Sequence, residues 1–338
     1  MKKPFVFVLI HLAFFFHILW FIISLIKQRP AHIEEKRIKA FQERFRRLNR
    51  IDARLDTIEE AYLDANGVLL HLDILAYGNG YPSVVFIPGT SVYAQFYLEF
   101  MDALHKKGFN VIGFDPRGHG RSSGARGDYT IVEIVDDALA VVEYARRLFG
   151  ADVAVAGSSQ GGIAAFYAAS RDDRLSGAIC HNIADLNARD NLVLSTLRLP
   201  KVFIPAARRF MKLYRRFGIP VSLYLDLKKE HLKDGTDAAS YIREDPLCIT
   251  WITLRAMNSL VYTRLAKPVE QIKVPIMLIH SDKDTIFPRR YVEEIWNRLS
   301  CSNKDYLLLK DTEHLAMTNS VSEVAGPAAR WLKKIMNR

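Results

Sequence analysis

Residues 153–169 constrain the fold and the chemistry of this chain more than any other stretch. A short apolar run is interrupted by Gly157-Ser158-Ser159-Gln160-Gly161 and is followed by an alanine-rich, helix-forming run. This order predicts a strand, a sharp turn with Ser159 at its apex, and a helix. Gly157 and Gly161 lack side chains, so the backbones around the turn can approach closely and the Ser159 hydroxyl stands clear. The helix points its first N–H groups at the place where an oxyanion would form.

Predicted strands and helices alternate on both sides of this turn. The strands are predicted at 58–64, 68–77, 83–87, 110–114, 177–181, 275–280 and 305–309, and the helices at 93–107, 131–149, 163–169, 290–299 and 321–336. Such alternation is typical of a mostly parallel sheet with helices on both faces. Between 182 and 266 the alternation is lost, and this basic, aromatic segment predicts a helical insertion above the sheet.

Three candidate catalytic side chains each follow a different predicted strand, where parallel sheets gather functional groups. They are Ser159, Asp284 and His314. A serine hydroxyl is a poor nucleophile, so we expect His314 to take its proton and return it to the leaving group. We expect Asp284 to hold the imidazole tautomer. The backbone N–H groups of Gln160 and Thr90 would hold the oxyanion.

Two neighbours compete for these roles. Asp282 lies two residues before Asp284, and whichever of the two is not the acid would cap the following turn. Ser158 could also be the nucleophile, but it occupies the variable position before the serine of the motif. We favour Asp284 and Ser159.

Four stretches make the chain resemble α/β-hydrolases of the lysophospholipase, monoacylglycerol lipase and serine aminopeptidase-like group. They are Pro-Gly-Thr at 88–90, which contains Gly89, Asp-Pro-Arg-Gly-His-Gly-Arg-Ser at 115–122, the 157–162 turn, and Asp-Lys-Asp at 282–284 with His314. The resemblance covers about residues 58–338 and implies an α/β-hydrolase fold whose insertion is a cap over the substrate pocket. The chain departs from this group at Pro88 and Ser158, where the group usually has histidine.

No cofactor or metal is implied. The three cysteines, Cys180, Cys248 and Cys301, are scattered without metal-ligand spacing, and their odd number argues against a disulfide framework. They favour a reducing compartment.

Residues 4–26 carry no formal charge and are numerous enough to cross a bilayer as a helix. They predict an uncleaved, single-pass membrane anchor, and the cations after it place the catalytic domain in the cytoplasm. His11 and His17 lie within this span and have no assigned role. The basic amphipathic segment at 28–56 either lies on the membrane or packs on the domain.

The predicted organisation is an anchor at 1–27, a linker helix at 28–56, a hydrolase core at 57–181 and 267–338, and a helical cap at 182–266. The net charge of +10 and the basic, aromatic cap are consistent with anionic lipid or with a solvated helix face. No nucleic-acid module is matched.

We expect a membrane-anchored serine hydrolase that cleaves carboxylic esters, with lipid esters such as lysophospholipids or monoacylglycerols favoured by the resemblance. The expected partners are a small-molecule or lipid ester and the membrane, through the N-terminal helix and the basic linker and cap. A peptidase or thioesterase with the same triad is an alternative. So is a non-catalytic scaffold or receptor at the membrane, although the intact triad argues against it.

Overall fold

The computed structural model describes residues 3–29, 34–52, 57–150, 152–187 and 204–336. Its ten strands are β1 (Glu59–Ala65), β2 (Val68–Leu75), β3 (Ser83–Ile87), β4 (Asn110–Phe114), β5 (Val153–Ser158), β6 (Ala178–His181), β7 (Gly218–Pro220), β8 (Trp251–Thr253), β9 (Ile276–Ser281) and β10 (Asp305–Leu309). Its helices are α1 (Lys3–Lys27), α2 (Glu35–Leu48), α3 (Leu98–His105), α4 (Ile131–Phe149), α5 (Gln160–Arg171), α6 (Ile204–Leu213), α7 (Ala238–Glu244), α8 (Leu254–Tyr262), α9 (Arg289–Arg298), α10 (Ala316–Asn319) and α11 (Val321–Ile335).

Eight of these strands form one sheet in the order β1-β2-β4-β3-β5-β6-β9-β10. The β1–β2 hairpin and the β2–β4 pair are antiparallel, and every pair from β4 to β10 is parallel. The prediction of a mostly parallel α/β-hydrolase sheet is confirmed. The predicted helix at 93–107 is instead a 3₁₀ turn at Ala94–Tyr97 followed by α3. The Ala94 N–H donates to the Asp115 carboxylate at 2.9 Å, which holds that turn against the end of β4.

Both faces of the sheet are buried, and the side chains of β3 show how. Val85 and Ile87 belong to an apolar cluster with residues of α4 and α5, whereas Val84 and Phe86 belong to a second cluster with residues of α3 and α11. A strand buried on both faces needs apolar residues at every position rather than at alternate ones. This is why the central strands are continuous apolar runs in the sequence.

The linker helix α2 packs on the domain. Its residues Ile38 and Phe45 are buried in the second cluster, and the Phe45 ring stacks on Phe96 with centroids 5.7 Å apart. Glu35 pairs with Arg121 at 2.7 Å. Of the two interpretations of this segment, packing on the domain is the one that the structure has.

The predicted transmembrane anchor, and the single-pass membrane localisation with its orientation, are wrong. In the parts of the chain that the structure describes, no helix combines the length and the apolar character needed to cross a bilayer. Several of the described side chains of the N-terminal segment make contacts within the fold. Trp20 Nε1 donates to the Gly218 carbonyl at 3.0 Å, and Gln28 Nε2 donates to the Arg216 carbonyl at 2.8 Å. Ser24 is fully buried at the same contact.

The insertion between β6 and β9 is not wholly helical. Its described residues form α6, α7 and α8, but β7 and β8 pair as a small antiparallel sheet that the sequence pattern did not predict. Residues 188–203 of the predicted cap lie outside the described residues. The boundaries proposed for the domains stay a prediction.

Candidate active site

Ser159 lies between the end of β5 and the start of α5, at the apex of a sharp turn. Its backbone angles are φ 55° and ψ −118°. A non-glycine residue with positive φ is uncommon and stores strain unless its surroundings hold it. The turn is held by a hydrogen bond from the Ser159 N–H to the His181 carbonyl at 3.0 Å. The hydroxyl is thereby presented at the carboxyl edge of the sheet.

The glycines around this turn permit close backbone contacts. A Cβ at Gly157 would lie 2.1 Å from the Gly161 carbonyl oxygen, and one at Gly161 would lie 2.0 Å from that of Ile87. Real Cβ atoms do not approach backbone so closely, so a side chain at either position would force strand and helix apart. Gly162, which the sequence did not single out, is equally crowded: its Cβ would lie 2.3 Å from the His181 carbonyl oxygen.

His314 and Asp284 come together although 30 residues separate them. Nδ1 of His314 lies 2.8 Å from Oδ2 of Asp284. The other carboxylate oxygen accepts hydrogen bonds from the backbone N–H groups of Ile286 and Phe287, each at 2.8 Å. Asp282 instead accepts from the Thr312 N–H at 3.3 Å. Of the two aspartates, Asp284 is therefore the one that contacts the His314 imidazole.

The two groups shift each other's pKa in the directions that a base and its acid partner require. Burial raises the pKa of Asp284, but the charge and hydrogen bond of His314 outweigh burial and hold it well below its usual range. Burial lowers the pKa of His314, but the Asp284 carboxylate outweighs this and the net pKa is raised. The carboxylate thus stays ionised and stabilises the imidazolium that forms when His314 takes a proton.

Ser159 and His314 line the same small cavity. It has a volume of about 40 Å³, and Phe96, Tyr241 and Leu315 form part of its wall. The Phe287 ring stacks on the imidazole with an interplanar angle of 6° and centroids 5.7 Å apart. His314 is 4% exposed, so its imidazole is shielded from bulk water.

Thr90 and Gln160 lie side by side next to Ser159. The Gln160 Oε1 accepts from the Thr90 hydroxyl at 3.1 Å and from the Tyr129 hydroxyl at 3.0 Å, which fixes the loop to the first turn of α5. As the first residue of α5, Gln160 has a backbone N–H without a partner in the preceding helical turn. A Cβ at Gly89, beside them, would lie 2.7 Å from the Tyr97 hydroxyl and 3.3 Å from the Ser158 carbonyl oxygen, so a side chain there would displace these neighbours.

A second cavity, of about 160 Å³, also has Ser159 in its wall and lies between residues of the core and residues of the cap. Most of its wall is apolar: Ile163, Leu186, Tyr224, Leu225, Leu260 and Phe287. Thr90, Ser159, Leu225 and Ile286 line both cavities. Ser159 therefore lies in the wall of both cavities.

Several polar residues at the site were missed from the sequence. Asn182 donates to Oδ2 of Asp284 at 2.9 Å, and the His181 and His314 ring centroids are 5.5 Å apart. His181 ends β6 and Asn182 follows it, so their position at the carboxyl end of a strand was a signal that could have identified them. Glu230, from the cap, accepts a hydrogen bond from the His314 backbone at 3.0 Å. Nothing in its local sequence marks it.

Two groups among the described residues bring three potential metal ligands within 4.8 Å of one another. The first is His181, Asp284 and His314, whose Nδ1 and carboxylate atoms are already engaged with one another or with Ser158. The second is Glu60, His71 and Asp73. There neighbouring carboxylates favour a protonated imidazole, because they raise the pKa of His71 to about 9 against the opposing effect of burial.

A family model described as Hydrolase_4, serine aminopeptidase S33, matches residues 81–320. The serine hydrolase BPHL of Mus musculus is 23% identical over 239 residues, which are 70% of this chain and 74% of that protein. Among solved structures, the Paleococcus ferrophilus monoacylglycerol lipase has a TM-score of 0.64 at 22% identity, covering 79% of this chain and 99% of that one. A soluble variant of the Saccharomyces cerevisiae monoglyceride lipase has a TM-score of 0.66 at 20% identity, covering 84% and 98%. These structural likenesses concern the fold.

Proposed function

We propose, from the premise that this chain belongs to the serine aminopeptidase S33 (Hydrolase_4) family, that Ser159, His314 and Asp284 are its catalytic triad. The chain is a serine ester hydrolase of the lipase and esterase type with an α/β-hydrolase fold. The observation that carries the triad is the 2.8 Å contact between His314 Nδ1 and Asp284 beside the cavity that Ser159 shares with His314.

In the proposed reaction, Ser159 Oγ attacks the ester carbonyl while His314 Nε2 takes its proton. The carbonyl oxygen becomes an oxyanion, which the backbone N–H groups of Gln160 and Thr90 stabilise. His314 then gives the proton to the leaving alcohol and the acyl group stays on Ser159. A water molecule, deprotonated by His314, releases the acid and restores the serine.

We propose an acyl ester of a lipid, such as a monoacylglycerol or lysophospholipid, as the substrate class. The apolar wall of the larger cavity supports this, because burying an acyl chain there contributes roughly 0.8 kcal/mol for each CH₂ group. The names of the similar monoacylglycerol and monoglyceride lipases point the same way.

We also propose that the substrate is met as a lipid aggregate. Apolar side chains are exposed along α1 and α6, among them Phe16, Ile26 and Leu213 at 62%, 55% and 76%. Arg209, Lys212, Arg215 and Arg216, beside or within α6, are exposed as well. An exposed apolar patch with cations at its rim is typical of a surface that meets a partner or a lipid interface.

Fluorophosphonate labelling tests the triad. Wild-type protein and the Ser158→Ala control should be labelled, and Ser159→Ala should not. Absence of labelling in folded wild-type protein, or labelling that survives Ser159→Ala, would overturn the assignment and favour a non-catalytic role.

A substrate panel tests the lipid class. It comprises p-nitrophenyl esters of increasing chain length, a monoacylglycerol and a lysophospholipid below and above their critical micelle concentrations, a thioester and an aminoacyl amide. We expect kcat/KM to rise with chain length and rates to rise above the micelle threshold. Activity confined to the amide or to the thioester would instead favour a peptidase or a thioesterase.

A further inference from the structure

Glu230 is a buried carboxylate that the cap inserts between the two loops carrying the acid and the base. It is 1% exposed. Its Oε2 accepts the backbone N–H of His314 at 3.0 Å, and its Oε1 accepts the Thr285 hydroxyl at 3.0 Å. Thr285 is the residue after Asp284. One cap side chain thus spans the β9 and β10 loops on which the proposed acid–base pair depends.

The segment around Glu230 is fixed to the core. The Glu230 carbonyl accepts the Ala238 N–H at 2.8 Å, which closes the cap loop that follows it. The next residue, His231, accepts from Asn319 Nδ2 at 2.7 Å through its carbonyl oxygen. Lys233 pairs with Glu99 of α3. Three separate contacts therefore hold the carboxylate where it reaches the catalytic loops.

We propose that Glu230 is a positioning residue of the catalytic centre, through which the cap holds His314 in place and favours its protonated form. The inference rests on the proposed triad. Burying an ionised carboxylate is costly unless charge and hydrogen bonds offset it. Glu230 accepts two hydrogen bonds and lies near the charge that His314 carries when protonated. Its contact therefore orients the residue that must gain and lose a proton.

The charges around His314 come from several elements. Asp284 faces it from the β9 loop, Glu230 from the cap, and His181 from β6. Burial lowers the pKa of His181 to about 3 and also lowers that of His280. Both rings are therefore neutral near pH 7, and the two carboxylates dominate the electrostatics of His314 among the described groups. Burial raises the pKa of Glu230 itself, while His314 and Thr285 oppose the rise.

Glu230→Gln removes the charge and keeps the size and an acceptor oxygen. Without the carboxylate, the imidazolium is less stabilised and the pKa of His314 falls. The acidic limb of the kcat/KM profile should therefore move to lower pH, by about half a unit. We expect kcat to fall about 3- to 10-fold with little change in KM for a short p-nitrophenyl ester. Glu230→Ala also removes both hydrogen bonds, and kcat should fall on the order of 10- to 100-fold.

Glu230→Asp and Glu244→Gln are the matched variants. Glu230→Asp keeps the charge, so the acidic limb of its kcat/KM profile should stay at the wild-type pH while kcat is lower. Glu244 is an exposed cap glutamate that pairs with Arg44 at 3.5 Å, so its loss should change neither limb nor kcat. Thermal melting reports folding in each case, and if Glu230→Ala does not fold, the Gln and Asp variants decide.

If the acidic limb of the kcat/KM profile does not move in folded Glu230→Gln protein, the positioning role is wrong whether or not kcat falls, and Glu230 has a structural role only. A limb that moves in Glu230→Gln and stays in Glu230→Asp supports the positioning role. Failure of the proposed function is recognised separately, because wild-type protein would then carry no fluorophosphonate on Ser159.

Discussion

The hydroxyl of Ser158 lies 2.9 Å from Nδ1 of His181, one residue before the proposed nucleophile. Both side chains are buried. Burial raises the pKa of Tyr97 to about 12, and the nearby Ser158 hydroxyl and Gly89 backbone oppose the rise. The Ser158 hydroxyl and the Ser159 N–H therefore both bond to His181, which ties the turn to the end of β6. Ser158 supports the turn, which explains why its hydroxyl is not the one presented to the cavities.

Ser158→Ala removes the hydroxyl that bonds to His181 Nδ1 and should destabilise the protein without removing the proposed nucleophile. A buried polar group left without its partner costs about 1–3 kcal/mol. We expect the free energy of unfolding in urea to fall by that amount while fluorophosphonate labelling is retained. Ser302→Ala, at an exposed position, is the control and should change little. Loss of labelling in a folded Ser158→Ala protein, together with labelling that survives Ser159→Ala, would make Ser158 the nucleophile.

Asp284→Asn should lower kcat/KM for a p-nitrophenyl ester on the order of 10⁴-fold, because the neutral amide neither fixes the imidazole tautomer nor stabilises the imidazolium. Asp282→Asn should lower it less than about 10-fold, since Asp282 only accepts from the Thr312 backbone at 3.3 Å. Comparable melting temperatures of the two variants would show that folding is not the cause. A larger loss in Asp282→Asn would reverse the assignment of the acid.

The pH dependence of kcat/KM should show an acidic limb with its midpoint above pH 6.5, the ordinary value for histidine. The Asp284 carboxylate raises the pKa of His314 against the effect of burial. Below that raised pKa the imidazole is protonated and cannot accept the Ser159 proton, so the rate falls as pH falls. A profile measured from pH 5 to 9 checks this, and a midpoint below 6.5 would contradict it.

His71→Gln should destabilise the protein more at pH 6 than at pH 10. His71 lies 3.3 Å from Asp115 Oδ2 and 3.5 Å from Glu60 Oε2. Burial lowers its pKa, but the nearby carboxylates of Asp115 and Asp73 raise it to about 9. The stabilisation is therefore complete below pH 6.5 and is lost as pH rises through 9, with a limit of about 3 kcal/mol.

Urea unfolding of wild-type and His71→Gln protein at several pH values measures this contribution. The difference between their free energies of unfolding should shrink steadily from pH 6.5 to pH 9. His105→Gln, which alters a partly exposed histidine on α3, is the control. A difference that stays constant with pH would show that His71 is not charged in the folded protein.

Much of the fold and part of the candidate site could be predicted from local sequence. The hydrophobic patterns of the strands and helices, and the glycines around Ser159, each involve only a few neighbouring residues. The sequence alone therefore indicates them. The same reasoning failed for residues 4–26, where apolar composition favoured a membrane helix. Composition does not say which partner an apolar face will meet, and here Trp20 meets the cap at Gly218.

The sequence by itself determined the alternating α/β order, the turn at Ser159 and the set of candidate acids and bases, because hydrophobic period and backbone freedom are local properties. Only the tertiary structure decided which aspartate meets His314, what Ser158 does, and that Glu230 reaches the His314 backbone from 84 residues away. Hydrogen bonds and burial depend on residues that folding brings together, so their effects on pKa and orientation appear only when the loops and the cap are in place.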